Sequence, residues 1–202
     1  MKLFGAPACC RGVESERESR EAGRVDSLAV RLADGDPGAP QELVERHHAE
    51  LYRYAGALLG NRHAAEDAVQ EAFGRAFVAL GRYPAGRIEG LSLRPWLYRI
   101  TLNVVRNAWR DGGREVPVAE TPEPGDREPP DREAWLDAIE ALERLSERQR
   151  VAVTLRYLED LPYAGISEVT GWPENTCKTL VRRGLARLGD LTSAEPEMEG
   201  EG

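Results

Sequence analysis

Apolar residues recur at three- and four-residue spacing through most of this chain, the period of amphipathic helices, and the breaks fall at glycine, proline and asparagine. The pattern predicts an all-α protein. A short helix from Asp26 to about Ala33 stops at Gly35-Asp36-Pro37-Gly38, and Ala39 to Leu59 forms a long helix burying Leu43, His47, Leu51, Tyr54 and Leu58. Gly60-Asn61 closes it. The next helix, about Arg62 to Leu80, points Ala65, Val69, Phe73, Phe77 and Leu80 inward and leaves Asp67, Gln70, Glu71 and Arg75 outside. A loop, AGRIEGLS, follows Arg82-Tyr83-Pro84. Ser92 can then cap a helix that tolerates Pro95 in its first turn and runs to about Arg110. Trp96, Leu97, Ile100, Val104 and Ala108 form its apolar side, while Arg99, Asn103, Arg106 and Arg110 line up along one polar stripe.

Periodicity then stops. Residues 114–130, REVPVAETPEPGDREPP, are rich in proline and acid and predict a linker. Asp131 caps a helix to about Leu145, and Ser146 with Gln149 has the spacing of a capping box for a helix through Tyr157. From Leu161 to Leu188 the chain reads as two helices about a tight turn, Gly171-Trp172-Pro173. Gly171 can take the left-handed conformation that ends the first helix, and Pro173 pre-sets φ for the second. Cys177, Leu180, Val181, Gly184, Leu185 and Leu188 face Ile166 and Val169, which leaves Asn175, Lys178, Thr179, Arg182 and Arg183 on the polar face. An ordinary surface αα-hairpin has the same punctuation. The chain thus divides into an N-terminal extension (1–25) expected to be disordered or loosely helical, and a helical domain (26–113). The acidic linker (114–130), a four-helix domain with the helix-turn-helix (131–191) and an acidic tail (192–202) follow.

Charge changes the picture. The net charge of −8 argues against a nucleic-acid partner until its distribution is read. Between Arg82 and Arg114 seven arginines face two acids, whereas between Glu115 and Glu147 eleven acids face three arginines, so basic segments flank an acidic spacer. A basic stripe with an amide in its middle suits phosphates and a base edge, and Tyr83, Trp96 and Trp109 can stack on unpaired bases or simply fill the core. Cys9, Cys10 and Cys177 make no disulfide framework, no spacing offers a metal site, and adjacent His47 and His48 face different ways. Cys177 reads as core. No apolar run approaches the ~20 residues of a membrane span, which predicts a cytoplasmic protein without membrane contact. There is no phosphate-cradling glycine loop, GxSxG or HExxH, so neither an enzyme nor a cofactor is expected.

Three segments in order, HAAEDAVQEAF (63–73), WLYRI (96–100) with Asn103, and LSERQR (145–150) leading into the helix-turn-helix, resemble the sigma-70 family of bacterial transcription initiation factors. The resemblance is to the small extracytoplasmic-function group and covers about residues 26–191. It implies that Asp67, Gln70, Glu71 and Arg75 dock on core RNA polymerase, at the clamp of its β′ subunit, with further contact to β. Tyr83, Arg99, Asn103, Arg106 and Arg110 would open and bind the melted −10 promoter element. Asn175, Lys178, Thr179, Arg182 and Arg183 would read the double-stranded −35 element, and an anti-sigma factor is a candidate partner. Gly165 replaces a common acid, and Leu180 and Leu185 replace common arginines. The competing reading is a free-standing helix-turn-helix regulator whose first domain binds an effector or partner.

Overall fold

The computed structural model describes residues 26–111 and 132–193. The expected extension (1–25), the linker (114–130) with its Asp131 cap, and residues 194–202 of the acidic tail lie outside the described residues. Among the described residues the chain forms nine helices and no strand: α1 (Ser27–Ala33), α2 (Ala39–Leu59), α3 (Arg62–Leu80), α4 (Ala85–Glu89), α5 (Leu93–Asp111), α6 (Arg132–Glu143), α7 (Glu147–Tyr157), α8 (Tyr163–Thr170) and α9 (Glu174–Ser193). The predicted stops form where their chemistry requires. Gly60 takes φ +66° and ends α2, while the Asn61 side chain accepts the Ala64 N–H at 2.9 Å and starts α3. The Gln149 side chain reaches back to accept the Ser146 N–H at 3.2 Å at the start of α7. Gly171, at φ +74°, turns α8 into α9, its N–H bonded to the Ser167 carbonyl at 2.8 Å.

Two expectations are corrected. The segment after Pro84, read as a loop, contains the one-turn helix α4: Pro84 holds φ at −66° ahead of it, and buried Ile88 anchors the turn. Phe77, expected to point inward, is 36% exposed beside Val78 at 54%, and Leu80 is only half-buried. The reason is helical geometry. Each residue turns ~100°, so four-residue steps drift by roughly 40° and three of them from Ala65 carry Phe77 off the face. The buried positions are Ala65, Ala68, Val69, Ala72, Phe73 and Ala76, separated by alternating steps of three and one.

Helices α2, α3 and α5 pack through this alanine-rich face, whose small side chains admit close approach of the backbones. In the C-terminal region Cys177 and Val181 of α9 lie buried with Ile166 and Val169 of α8, and burial pushes the Cys177 thiol up, in keeping with a core residue. One continuous core includes Leu97, Tyr98 and Leu102 from the first region and Leu155, Leu161 and Ile166 from the second.

α7 and α9 meet at Gly184. A β-carbon there would come 2.6 Å from Val153 Cγ2 and 3.6 Å from Gln149 Cβ. Alanine would gain up to ~1 kcal/mol of helix propensity, but Val153 is buried and β-branched, so overpacking of ~1–3 kcal/mol outweighs it. Gly184→Ala is therefore expected to destabilise the fold by about 1 kcal/mol, read as a lower urea midpoint at unchanged slope.

Candidate nucleic-acid interface

The five polar residues of α9 lie on one side of the helix. Asn175, Lys178, Arg182 and Arg183 are exposed, whereas Thr179 is half-buried and its hydroxyl donates to the Asn175 carbonyl at 2.8 Å. Lys178 Nζ also stands 5.6 Å from the centre of the Tyr163 ring. The rigid αL turn at Gly171 and the buried Cys177 face hold this helix as a projecting edge of the C-terminal region.

On α3 the residues Asp67, Gln70, Glu71 and Arg75 are all exposed, with Arg75 Nη2 2.6 Å from Glu71 Oε1. The stripe on α5 is divided by its surroundings. A cavity of about 420 Å³ is lined by Arg75, Tyr83, Arg87, Trp96, Arg99 and Asn103, and closed on one side by Glu168 of α8. Arg87 stacks over the Tyr83 ring at 3.7 Å, and Tyr83 lies 6.4 Å from Trp96. Arg75, predicted on the docking surface, thus shares a wall with residues predicted to face DNA. Arg110 stands apart at the end of the helix and bonds Asn107. Trp96 and Trp109 are both half-buried against the core.

Two stripe residues are engaged by the C-terminal region. Arg99 Nε donates to the Glu168 carbonyl at 2.9 Å, and its Nη2 donates to the same oxygen. Arg106 lies 5.7 Å from the centre of the Trp172 ring, which also carries Arg148 at 4.8 Å. The turn and first helix of the helix-turn-helix therefore touch the stripe at Arg99 and Arg106, while Arg99, Asn103 and Arg110 remain exposed.

Beside the shared apolar core, that placement is held by Glu159, in the turn between α7 and α8, whose side chain has 0% exposure. Arg53 grips it with Nε on Oε1 at 3.1 Å and Nη2 on Oε2 at 2.8 Å. The Tyr98 hydroxyl donates to Oε2, and Arg94 Nη2 donates to the Glu159 backbone carbonyl at 2.8 Å. Burial, then the Glu159 and Glu50 charges, push the Tyr98 phenol far up, so it stays a donor. Asp160 beside it takes φ +50°, a left-handed conformation that aspartate tolerates better than most residues. Glu159 had no signal in the sequence, because an acid in a helix-to-helix turn reads as solvated.

The two sigma-70 family models match in this order, Sigma-70 region 2 over residues 43–115 and Sigma-70 region 4 over residues 136–188. RNA polymerase sigma-H factor of Pseudomonas aeruginosa is 31% identical over 172 residues, covering 77% of this chain and 87% of that protein. The chain belongs to the sigma-70 family. Its relatives place it in the extracytoplasmic-function group: ECF RNA polymerase sigma factor SigE of Mycolicibacterium smegmatis is 35% identical over 175 residues, 80% of this chain but 66% of SigE, so the chain spans just under two thirds of that relative. The fold of this sigma factor is that of CnrH in complex with the cytosolic domain of CnrY, at TM-score 0.65 and 23% identity over 84% of this chain and 97% of that one. RpoE of Bartonella quintana, in complex with the anti-sigma factor NepR, aligns at TM-score 0.63 and 24% identity over 77% and 98%.

Glu50 extends the clasp. Burial would raise its carboxyl, but the hydrogen bond from His47 and the charge and hydrogen bond of Arg94, 2.9 Å away, outweigh that and hold it below the ordinary glutamate value. A depressed folded pKa gives stability that is present above the unfolded value and lost as pH falls through the folded one. Acidification from about pH 6 to about pH 3.5 should therefore lower the urea midpoint of the wild type more than that of Glu50→Gln, which has no carboxylate to protonate.

Proposed function

We propose that this sigma factor is a promoter-specificity subunit that lends DNA recognition to core RNA polymerase, which carries all the catalysis. The observation supporting this most strongly is the occurrence of regions 2 and 4 on one chain, each on its own group of helices. The exposed side of α3, with Asp67, Gln70, Glu71 and Arg75, docks on the polymerase clamp. Arg99, Asn103, Arg106 and Arg110, with Tyr83 at the cavity mouth, hold the melted strand of the −10 element. Asn175, Lys178, Thr179, Arg182 and Arg183 meet the −35 duplex, where an exposed arginine at the groove can take a guanine edge in bidentate fashion. Residues 114–130 tether the two readers, and seventeen residues reach at most ~58 Å extended. The protein works in the cytoplasm, and an anti-sigma factor of the kind seen with RpoE is its inhibitory partner.

The test is promoter-dependent transcription with sigma-free core polymerase. A free-standing regulator would neither join the core nor start transcripts. Asp67→Ala with Glu71→Ala should unfold at nearly the wild-type midpoint, because exposed pairs such as Glu71–Arg75 contribute only ~0–1 kcal/mol, yet fail to co-purify with core polymerase. Retained co-purification would assign docking to another face.

Recognition by α9 gives a separate expectation. Arg182→Ala should cost ~1–3 kcal/mol on the preferred duplex and relax selection at one or two base pairs, measured by selection from random DNA. An unchanged consensus would move the reading role to its neighbours.

A further inference from the structure

Lysine is rare in this chain: of its 27 lysines and arginines only Lys2 and Lys178 are lysines, and Lys178 stands on the exposed polar face of α9. Its ammonium has a neighbour that none of the other reading residues has. Lys178 Nζ lies 5.6 Å from the centre of the Tyr163 ring, the first residue of α8, and Arg156 of α7 stands at the same ring with Cζ 5.3 Å from its centre. Arg156 is itself tied to the backbone, its Nη1 donating to the Leu161 carbonyl at 3.1 Å in the turn before α8. The ring is half-buried and packs against the core that holds Ile166, Val169 and Cys177. A fixed ring thus joins a cation anchored to the backbone with one that is exposed.

The chemistry of a lysine suits this place. An ammonium is a compact point charge that a ring face attracts from up to about 6 Å, while its N–H donors stay available to a second partner. A guanidinium is drawn down flat instead, as Arg87 is over Tyr83 at 3.7 Å. A lysine stem also carries much rotamer freedom, and whatever part of it is ordered before binding is not lost on binding.

We propose that Tyr163 is a positioning residue for duplex recognition: its ring, braced by Arg156, presets the Lys178 ammonium on the reading face of α9 before DNA arrives. This rests on the reading of α9 as the −35 reader and adds what orders one of its side chains. A contact of this class at an exposed site corresponds to roughly two- to fivefold in an equilibrium constant, which sets the scale of its loss. The sign is informative. If Lys178 had to leave the ring to reach DNA, the contact would oppose binding and its removal would tighten the complex.

The test uses the full chain and a duplex that the wild type enriches from a random-sequence pool. Tyr163→Leu removes the ring and Tyr163→Phe keeps it. A ring-fluorinated phenylalanine at 163, introduced as an unnatural amino acid, keeps its size while draining negative charge from its face. Far-UV circular dichroism and the urea midpoint establish folding, and if Tyr163→Leu does not fold, the fluorinated ring replaces it in every arm. Tyr163→Phe should bind within about twofold of wild type, whereas Tyr163→Leu and the fluorinated ring should bind roughly two- to fivefold more weakly. On a Lys178→Ala background Tyr163→Leu should have no further effect. An equal loss on that background would make the ring a packing residue alone and overturn the proposal. Unchanged or tighter binding without the ring would overturn it too, as would a loss with Tyr163→Phe as large as with Tyr163→Leu, which would assign the effect to the hydroxyl. A wild type that enriches no sequence sinks the reading of α9 itself and the proposal with it, whereas enrichment by the wild type with an unaltered fluorinated variant sinks the positioning role only.

Discussion

A single buried carboxylate holds the densest polar contact between the two helical regions of this protein. Taking Glu159 out of water costs several kcal/mol, and the attraction of Arg53, Arg94 and the Tyr98 hydroxyl repays that only while all are in place. Such a contact adds little net stability beside an apolar one, but it is highly specific, because removing a single partner leaves the charge stranded. It adds a directional polar contact to the continuous apolar core that already joins the two helical regions. Asp160, next to it, takes a left-handed conformation in the same turn.

Around that clasp, packing is set by small residues where backbones must come close. The alanines of α3 let α2 and α5 settle against it, and Gly184 does the same where α9 crosses α7. Tyr54 meets Tyr98 edge-on at 4.9 Å, so the ring that supplies the clasp's hydroxyl is itself held by the core. Rigid positioning of donors thus begins in the hydrophobic interior of the N-terminal region and ends at an acid from the other.

Charge distribution reconciles the acidic chain with the polyanionic partner proposed for it. The excess negative charge falls in residues 26–81, in residues 114–147 and in the tail, while arginines gather on α5 and α9 at exposed or half-exposed positions. Net charge governs solubility and long-range steering, but phosphate contact depends on charge within a Debye length of about 8–10 Å, where these helices are basic.

The sequence by itself determined the helices and their faces. Periodicity, Gly60-Asn61, Ser146-Gln149 and Gly171 are local signals whose physics is complete within a few residues, which is why α2, α3 and α7 have the ends expected and the polar faces of α3 and α9 are exposed as read. Local geometry also accounts for the failures: a strict four-residue step put Phe77 on the wrong side, and a five-residue helix after Pro84 is too short to show a period. Only the tertiary structure decided what lies against the α5 stripe. Arg99 and Arg106 read as free basic residues because no spacing reveals that Glu168 and Trp172, more than sixty residues away, complete their surroundings. For Glu159 the distance is greater still: Arg53 is 106 positions earlier, and a long-range pair of charges leaves no periodic trace in either segment.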